Sequence, residues 1–275
     1  SVPLWFLVMS FALFGLLFGS FANVVIWRLP AGRSIVHPGS HCSACGHQIA
    51  WFDNIPVVSW LLLRARCRAC GARISARYPL VELASGVLFA LAAVRFGATW
   101  QAALAAAVFW LLLVLSAIDL DHYRLPNVLV ATLAGVGIVG VLIAQVARIP
   151  LAPLTLTGTV WGTDPAPAAL IGLLLGGGLP ATIAFLYGVV RGRQGLGMGD
   201  IKLLAALGIV LGPYVVMTLV IGSIIGLVVG LTASRSVALS ERRIPFGPSL
   251  AAGGVITALA GPEILQWYLR LAGIA

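Results

Sequence analysis

Long apolar runs separated by short polar breaks dominate this chain from end to end. A transmembrane helix needs roughly 20 mostly apolar residues. By that measure the pattern predicts spans at 4–27, 79–97, 101–118, 127–146, 166–190, 201–211, 214–234 and 247–268. Residues 201–234 are too long for one helix and Gly212-Pro213 breaks them, yet 201–211 alone is too short to cross squarely. One sizeable polar stretch remains, 28–78, between the first two spans. A second connection, 147–165, is rich in Pro, Thr and Gly and reads as an ordinary loop.

Composition agrees with the pattern. Hydrophobic residues make up 60% of the 275 positions and Asp, Glu, Lys and Arg only 9%, whereas soluble chains carry about 25% charged residues. A soluble globule is excluded. The 32 glycines and eight tryptophans suit closely packed helices with interfacial anchors.

The net charge of +9 invites a nucleic-acid reading, but the placement of the charges overrides their sum. Arg28, Arg33, Arg64, Arg66, Arg68, Arg73, Arg77, Arg124, Arg191, Arg193, Lys202, Arg235, Arg242 and Arg243 all fall on one side of an eight-span topology. Only Arg95, Arg148 and Arg270 fall on the other. Positive residues mark the cytoplasmic side, so that majority face is expected in the cytoplasm, with both termini outside. No nucleic-acid partner is expected; the basic face meets anionic lipid headgroups. The first span has no basic residue before it and Arg28 and Arg33 after it, the reverse of a cleaved signal peptide, and is expected to be a retained anchor.

All four cysteines lie in the polar loop, as Cys42-Ser43-Ala44-Cys45 and Cys67-Arg68-Ala69-Cys70. Paired C-x2-C knuckles place four thiolates tetrahedrally around zinc. Disulfides are the competing reading, but a reducing cytoplasm disfavours them, and a loop this small gains a core from a metal. Four thiolates leave no open position for water, which makes the expected zinc structural. His41 and His47 flank the first knuckle as bystanders. The predicted fold class is therefore an all-α polytopic membrane protein of about eight transmembrane helices with a small zinc-binding cytoplasmic loop domain.

Acidic residues beside membrane spans are costly and often functional. Asp119 ends the run 101–118, and Asp200 follows Gly195-Leu196-Gly197-Met198-Gly199. Both fall at the expected cytoplasmic end of the membrane, where two carboxylates sharing one proton would supply an acid and a base. Plainer roles compete: Asp200 as the N-cap of a helix starting at Ile201, and Asp119 and Asp121 as interfacial polar residues.

In order, several motifs resemble those of the bacterial type IV prepilin peptidases, membrane aspartyl proteases of the GxGD class. Gly19-Ser20-Phe21-Ala22-Asn23-Val24-Val25-Ile26-Trp27-Arg28-Leu29-Pro30 is similar to the family's first-helix signature. The cysteine knuckles flank Asn54-Ile55-Pro56-Val57-Val58-Ser59-Trp60, and Arg77-Tyr78-Pro79-Leu80-Val81-Glu82 follows. Gly197-Met198-Gly199-Asp200-Ile201-Lys202-Leu203-Leu204 matches the GxGD element, and Pro245-Phe246-Gly247-Pro248 resembles a late loop. Ser43 stands where many relatives have proline.

The resemblance implies a catalytic pair of Asp119 and Asp200. Asp119 maps by its place six residues before Leu125-Pro126, and Asp121, about 200° around a continuing helix, is its local rival. Glu82 and Lys202 match family positions and are candidate ion-pair partners. The resemblance also implies cleavage of the short basic leader from type IV prepilins and pseudopilins of type IV pilus and type II secretion systems, in the bacterial inner membrane. Many relatives methylate the new N-terminus with S-adenosylmethionine, for which no binding residue is assigned here. The domains expected are a first transmembrane helix (1–27), a zinc-knuckle domain (28–78) and a transmembrane aspartyl protease core (79–275). A proton- or cation-coupled transporter using the two aspartates, or a non-enzymatic secretion scaffold, are the readings from other classes.

Overall fold

A computed structural model describes residues 2–147, 164–192, 196–233 and 245–273. Among the described residues there is no strand, only two isolated bridges, His41 with Gln48 and Arg66 with Arg73. Among the described residues seven helical runs are long and apolar enough to cross a membrane, as a multi-pass membrane protein requires. The chain forms two compact units, Ser1–Ile118 and Asp119–Ala275.

In the first unit, α1 (Leu4–Arg28) packs antiparallel to α3 (Arg77–Phe96). Within lipid there is little hydrophobic drive between helices, so close contact depends on small residues that let backbones meet. Gly15 and Gly19, one turn apart, do this. A Cβ on Gly15 would lie 2.7 Å from the Ser85 carbonyl oxygen, and one on Gly19 2.6 Å from Glu82 Cα. Next comes α4 (Trp100–His122), tied to α1 where the Trp110 indole donates to the Phe18 carbonyl (2.8 Å) and lies flat on Phe21. Between α1 and α3 the chain forms the two cysteine knuckles and a short helix, α2 (Val58–Leu62).

The second unit contains α5 (Asn127–Ala147), α6 (Pro165–Leu173), a wide π turn (Leu174–Gly178), α7 (Leu179–Arg191), α8 (Met198–Leu211), a 3-10 turn (Gly212–Tyr214), α9 (Val215–Ala233) and α10 (Gly247–Leu271). Glycine contacts give the directions. Gly199 abuts Leu125 and Gly137 abuts Val210, so α5 and α8 run the same way. Gly172 meets the Gly208 carbonyl and Gly176 the Leu204 carbonyl, so α6 runs against α8. Gly226 meets Phe246 and Gly253 meets the Thr218 carbonyl, so α9 and α10 are antiparallel.

These contacts settle the sixth run. As one straight helix, Asp200 and Gly226 would stand about 39 Å apart at 1.5 Å per residue. Instead Gly226 touches Phe246, whose neighbour Gly247 bonds Asp119, and Asp119 is in electrostatic reach of Asp200. The chain therefore turns back at Gly212 (φ +59°) and Pro213. The expected break is present, and α8 and α9 are separate, opposed segments.

Most helix bounds fall within a few residues of the apolar pattern. Two differ usefully: α4 continues past 118 to His122, and α8 begins at Met198, not Ile201. Arg124, Arg191 and Lys202 all lie at the end of the second unit that carries Asp119 and Asp200, as the charge pattern requires. Arg148, most of the 147–165 loop, Arg193, Gly195 and the cluster Arg235, Arg242 and Arg243 lie outside the described residues.

Gly208 faces the Gly172 backbone, whereas Gly135 has open space where a Cβ would go. Gly208→Ala should destabilise the protein by about 1–3 kcal/mol, the range of an overpacked core. Gly135→Ala should cost nothing, since alanine is the better helix former. Thermal unfolding in detergent compares the two.

Candidate active site and metal centre

Asp119 lies one turn before the C-terminal end of α4, where the helix's own carbonyls make a poor setting for a carboxylate. Another helix supplies the compensation. The backbone N–H of Gly247, the first residue of α10, donates to Asp119 Oδ2 (3.1 Å), which places the carboxylate at the favourable N-terminal end of α10. Asp119 is only 6% exposed. Glycine is required there, since a Cβ on residue 247 would sit 2.6 Å from Oδ2. Pro248 follows without cost, because the amide it lacks would have no partner in a first helical turn.

Asp200 is the third residue of α8. Its helix is capped by Gly197 with no side-chain hydrogen bond, which removes the N-cap role considered for Asp200. The two glycines before it let the chain fold tightly: Asp200 Oδ2 lies 3.0 Å from where a Gly197 Cβ would be, and a Gly199 Cβ would touch Leu125 at 3.4 Å. Leu125 also borders Gly247. One side chain thus separates the loops that carry the two carboxylates, and Asp119 is near enough for its charge to act on Asp200. The structure brings into electrostatic reach two acids that are 81 positions apart in sequence.

Asp121 behaves differently. Helix α4 continues through it, so it points away from Asp119, and it is exposed where Asp119 is buried. Glu82 and Lys202 are not ion-paired among the described residues, contrary to expectation. Lys202 Nζ donates to Asn127 Oδ1 (3.0 Å), fastening the start of α8 to that of α5. Glu82 Oε2 accepts the Val57 N–H (2.7 Å). Gly247 and Leu125 stand inside the motifs above, with no role evident from sequence. A glycine placed directly before a helix-starting proline was the available signal for the first; for Leu125 there was none.

The two knuckles are near copies. Cys42 N–H donates to His47 O (2.9 Å) and Gly46 N–H to Cys42 O (2.9 Å); Cys67 N–H donates to Ala72 O (2.8 Å) and Gly71 N–H to Cys67 O (2.9 Å). Gly46 and Gly71 carry the left-handed φ (+72° and +71°) that closes each turn. All four Sγ atoms lie within 4.8 Å of one another, and none is in a disulfide. Tetrahedral zinc with Zn–S of about 2.3 Å needs sulfurs about 3.8 Å apart; Cys42 and Cys70 stand at 3.9 Å. The donor set fits such an ion. The backbone N–H groups of Cys45 and Ala44 draw the Cys42 thiol down to about 6, which favours the thiolate a metal binds. Neither His41 nor His47 joins the cluster. Beside it, Arg68 binds Asp53 through two hydrogen bonds (2.7 and 2.6 Å) and holds that carboxyl below its ordinary range.

Comparison with known proteins gives the family. Residues 13–96 match the model of the bacterial peptidase A24 N-terminal domain, and residues 106–231 that of the type IV leader peptidase family. A prepilin leader peptidase/N-methyltransferase of Stutzerimonas stutzeri is 38% identical over 99% of this chain and 96% of its own. Its counterparts in Pseudomonas aeruginosa (37%, over 99% and 97%) and Aeromonas salmonicida (35%, over 94% and 92%) are similar at comparable coverage. No solved structure matches the chain at a significant level. With both family models in chain order and relatives alike over nearly their whole length, the chain belongs to the type IV leader peptidase family.

Proposed function

We propose that this chain cleaves the short basic leader from type IV prepilins and pseudopilins and then N-methylates the exposed N-terminus. The observation that carries the cleavage is the buried Asp119, held by the Gly247 amide with Asp200 in electrostatic reach. The second activity rests on relatives named for both, alike over nearly the full chain.

Asp119 and Asp200 are the catalytic pair. One, ionised, takes a proton from water as the water oxygen attacks the glycine carbonyl at the leader junction. The other, protonated, donates to that carbonyl oxygen. When the tetrahedral species collapses, the C–N bond breaks and the departing amine takes up a proton. Water is thus added across one peptide bond. Gly247 keeps Asp119 in place, and Gly197 and Gly199 let the start of α8 fold tightly against Asp200 and Leu125.

The pair lies in the last turn of one span and the first of another, the depth at which a prepilin passes from its leader to its hydrophobic helix. Arg124, Arg191 and Lys202 lie at that end, and by the positive-inside rule the active site faces the cytoplasm of a bacterial inner membrane with both termini periplasmic. In this scheme residues 1–27 are the first transmembrane helix, 28–78 a zinc-knuckle domain and 79–275 the protease core. Cys42, Cys45, Cys67 and Cys70 hold a structural zinc, which cross-links the loop and takes no part in cleavage. Methyl transfer draws on S-adenosylmethionine as the methyl donor; the described residues contain no strand-to-helix glycine turn of the kind that cradles nucleotide cofactors, and no residue is assigned to hold it. A transporter or a passive scaffold leaves the family membership unexplained.

Asp119→Asn and Asp200→Asn should each lower cleavage of a prepilin-like peptide by ~10²-fold or more, the contribution of a general acid or base. Asp121→Asn should cleave like the parent, and circular dichroism should show all three folded. Gly247→Ala, which presses a methyl group onto Asp119 Oδ2, should reduce cleavage while metal content stays the same. Elemental analysis of purified protein should find zinc equimolar with the chain, and Cys42→Ser should lose it.

A further inference from the structure

Helix α2 is built inside out. Val58, Leu61 and Leu62, spaced i, i+3 and i+4, form one face, and that face points outward: they are 47, 60 and 78% exposed. The polar Ser59 points inward, 6% exposed, with its hydroxyl donating to the Phe52 carbonyl and accepting the Ile55 N–H. Trp60 also turns in, its indole donating to Ile74 O (3.1 Å). Just upstream, Trp51 and Phe52 stand 81 and 48% exposed. In water such an arrangement loses the burial that stabilises a short helix; in lipid it gains it.

The depth of this segment is fixed by a second observation. Val57, immediately before α2, has φ +62°, a conformation hostile to a β-branched residue, in a tight turn closed by Val58 N–H on Pro56 O (2.6 Å). Its own N–H is held by Glu82 Oε2 at 2.7 Å. Glu82 is five residues into α3, about 7.5 Å along a membrane-spanning helix. A buried carboxylate on a transmembrane helix therefore pins the start of α2 at the level of the membrane edge. Exposed Arg64 and Arg66 follow the apolar face directly, the order in which side chains meet acyl chains and then phosphates.

We infer that the segment Trp51–Leu62 inserts the outward apolar face of α2, with Trp51 and Phe52, into the bilayer interface, while Arg64 and Arg66 lie on anionic headgroups. The loop between α1 and α3 is then an in-plane membrane anchor. Glu82 is its positioning residue, holding the strained Val57 turn at the depth where the face meets lipid. The inference rests on the membrane fold and is independent of the chemistry of the aspartates.

The test places the photo-crosslinking residue benzoylphenylalanine at Trp51, Leu62 or, as an exposed control in the first knuckle, Ala44. Each full-length variant is irradiated in nanodiscs of phosphatidylethanolamine and phosphatidylglycerol, and adducts are identified by mass spectrometry. Lipid adducts several-fold more abundant at positions 51 and 62 than at 44 are expected, and adding Glu82→Leu, which removes the acceptor of the Val57 N–H, should cut the yield at 62. Yields at 51 and 62 no higher than at 44, or adducts formed there with a prepilin-like peptide added to the nanodiscs in place of lipid, would overturn it.

Discussion

One hydrogen bond organises the second unit. The Asp119 carboxylate closes a membrane-spanning helix at its unfavourable end and would be costly there without a partner. The first N–H of α10 provides that partner, and everything else at this end follows from bringing the two together. Residue 247 must be glycine, α9 must return along α8 to deliver it, and the return needs the break at Gly212-Pro213. Asp119 is buried, so a lost partner would leave its carboxylate unsatisfied at a high cost. Asp200 approaches the same end from a glycine-lined helix start.

Much of the fold was legible because lipid imposes a simple rule: a span must be long and apolar, and breaks must be polar, glycine or proline. The bounds of α1, α5, α9 and α10 follow that rule closely. It failed where polar residues are helical. Asp119, Asp121 and His122 looked like the end of α4 and instead form its last turn; Gly197-Met198-Gly199 looked like loop, yet α8 begins at Met198. Both errors lie at the candidate site, where local preference yields to the need to position carboxylates.

The cysteine cluster was legible for a different reason. Ligand spacing is a local property, and each knuckle closes within six residues through its own backbone bonds, so only the meeting of the two knuckles had to come from the fold. By contrast, the tie between Glu82 and the Val57 amide joins an acid to a backbone group twenty-five positions away, and no side-chain pattern encodes a backbone acceptor's partner. The sequence suggested an ion pair because charge is visible and an N–H is not. That same tie fastens the start of α2 to α3.

The central claim is hydrolysis by this chain of a prepilin-like junction. Purified protein in detergent, incubated with a peptide carrying a basic leader, a glycine and an apolar segment, should yield a product cut after that glycine, read by mass spectrometry. An intact peptide, recovered from protein that is folded and metal-loaded, would contradict the account.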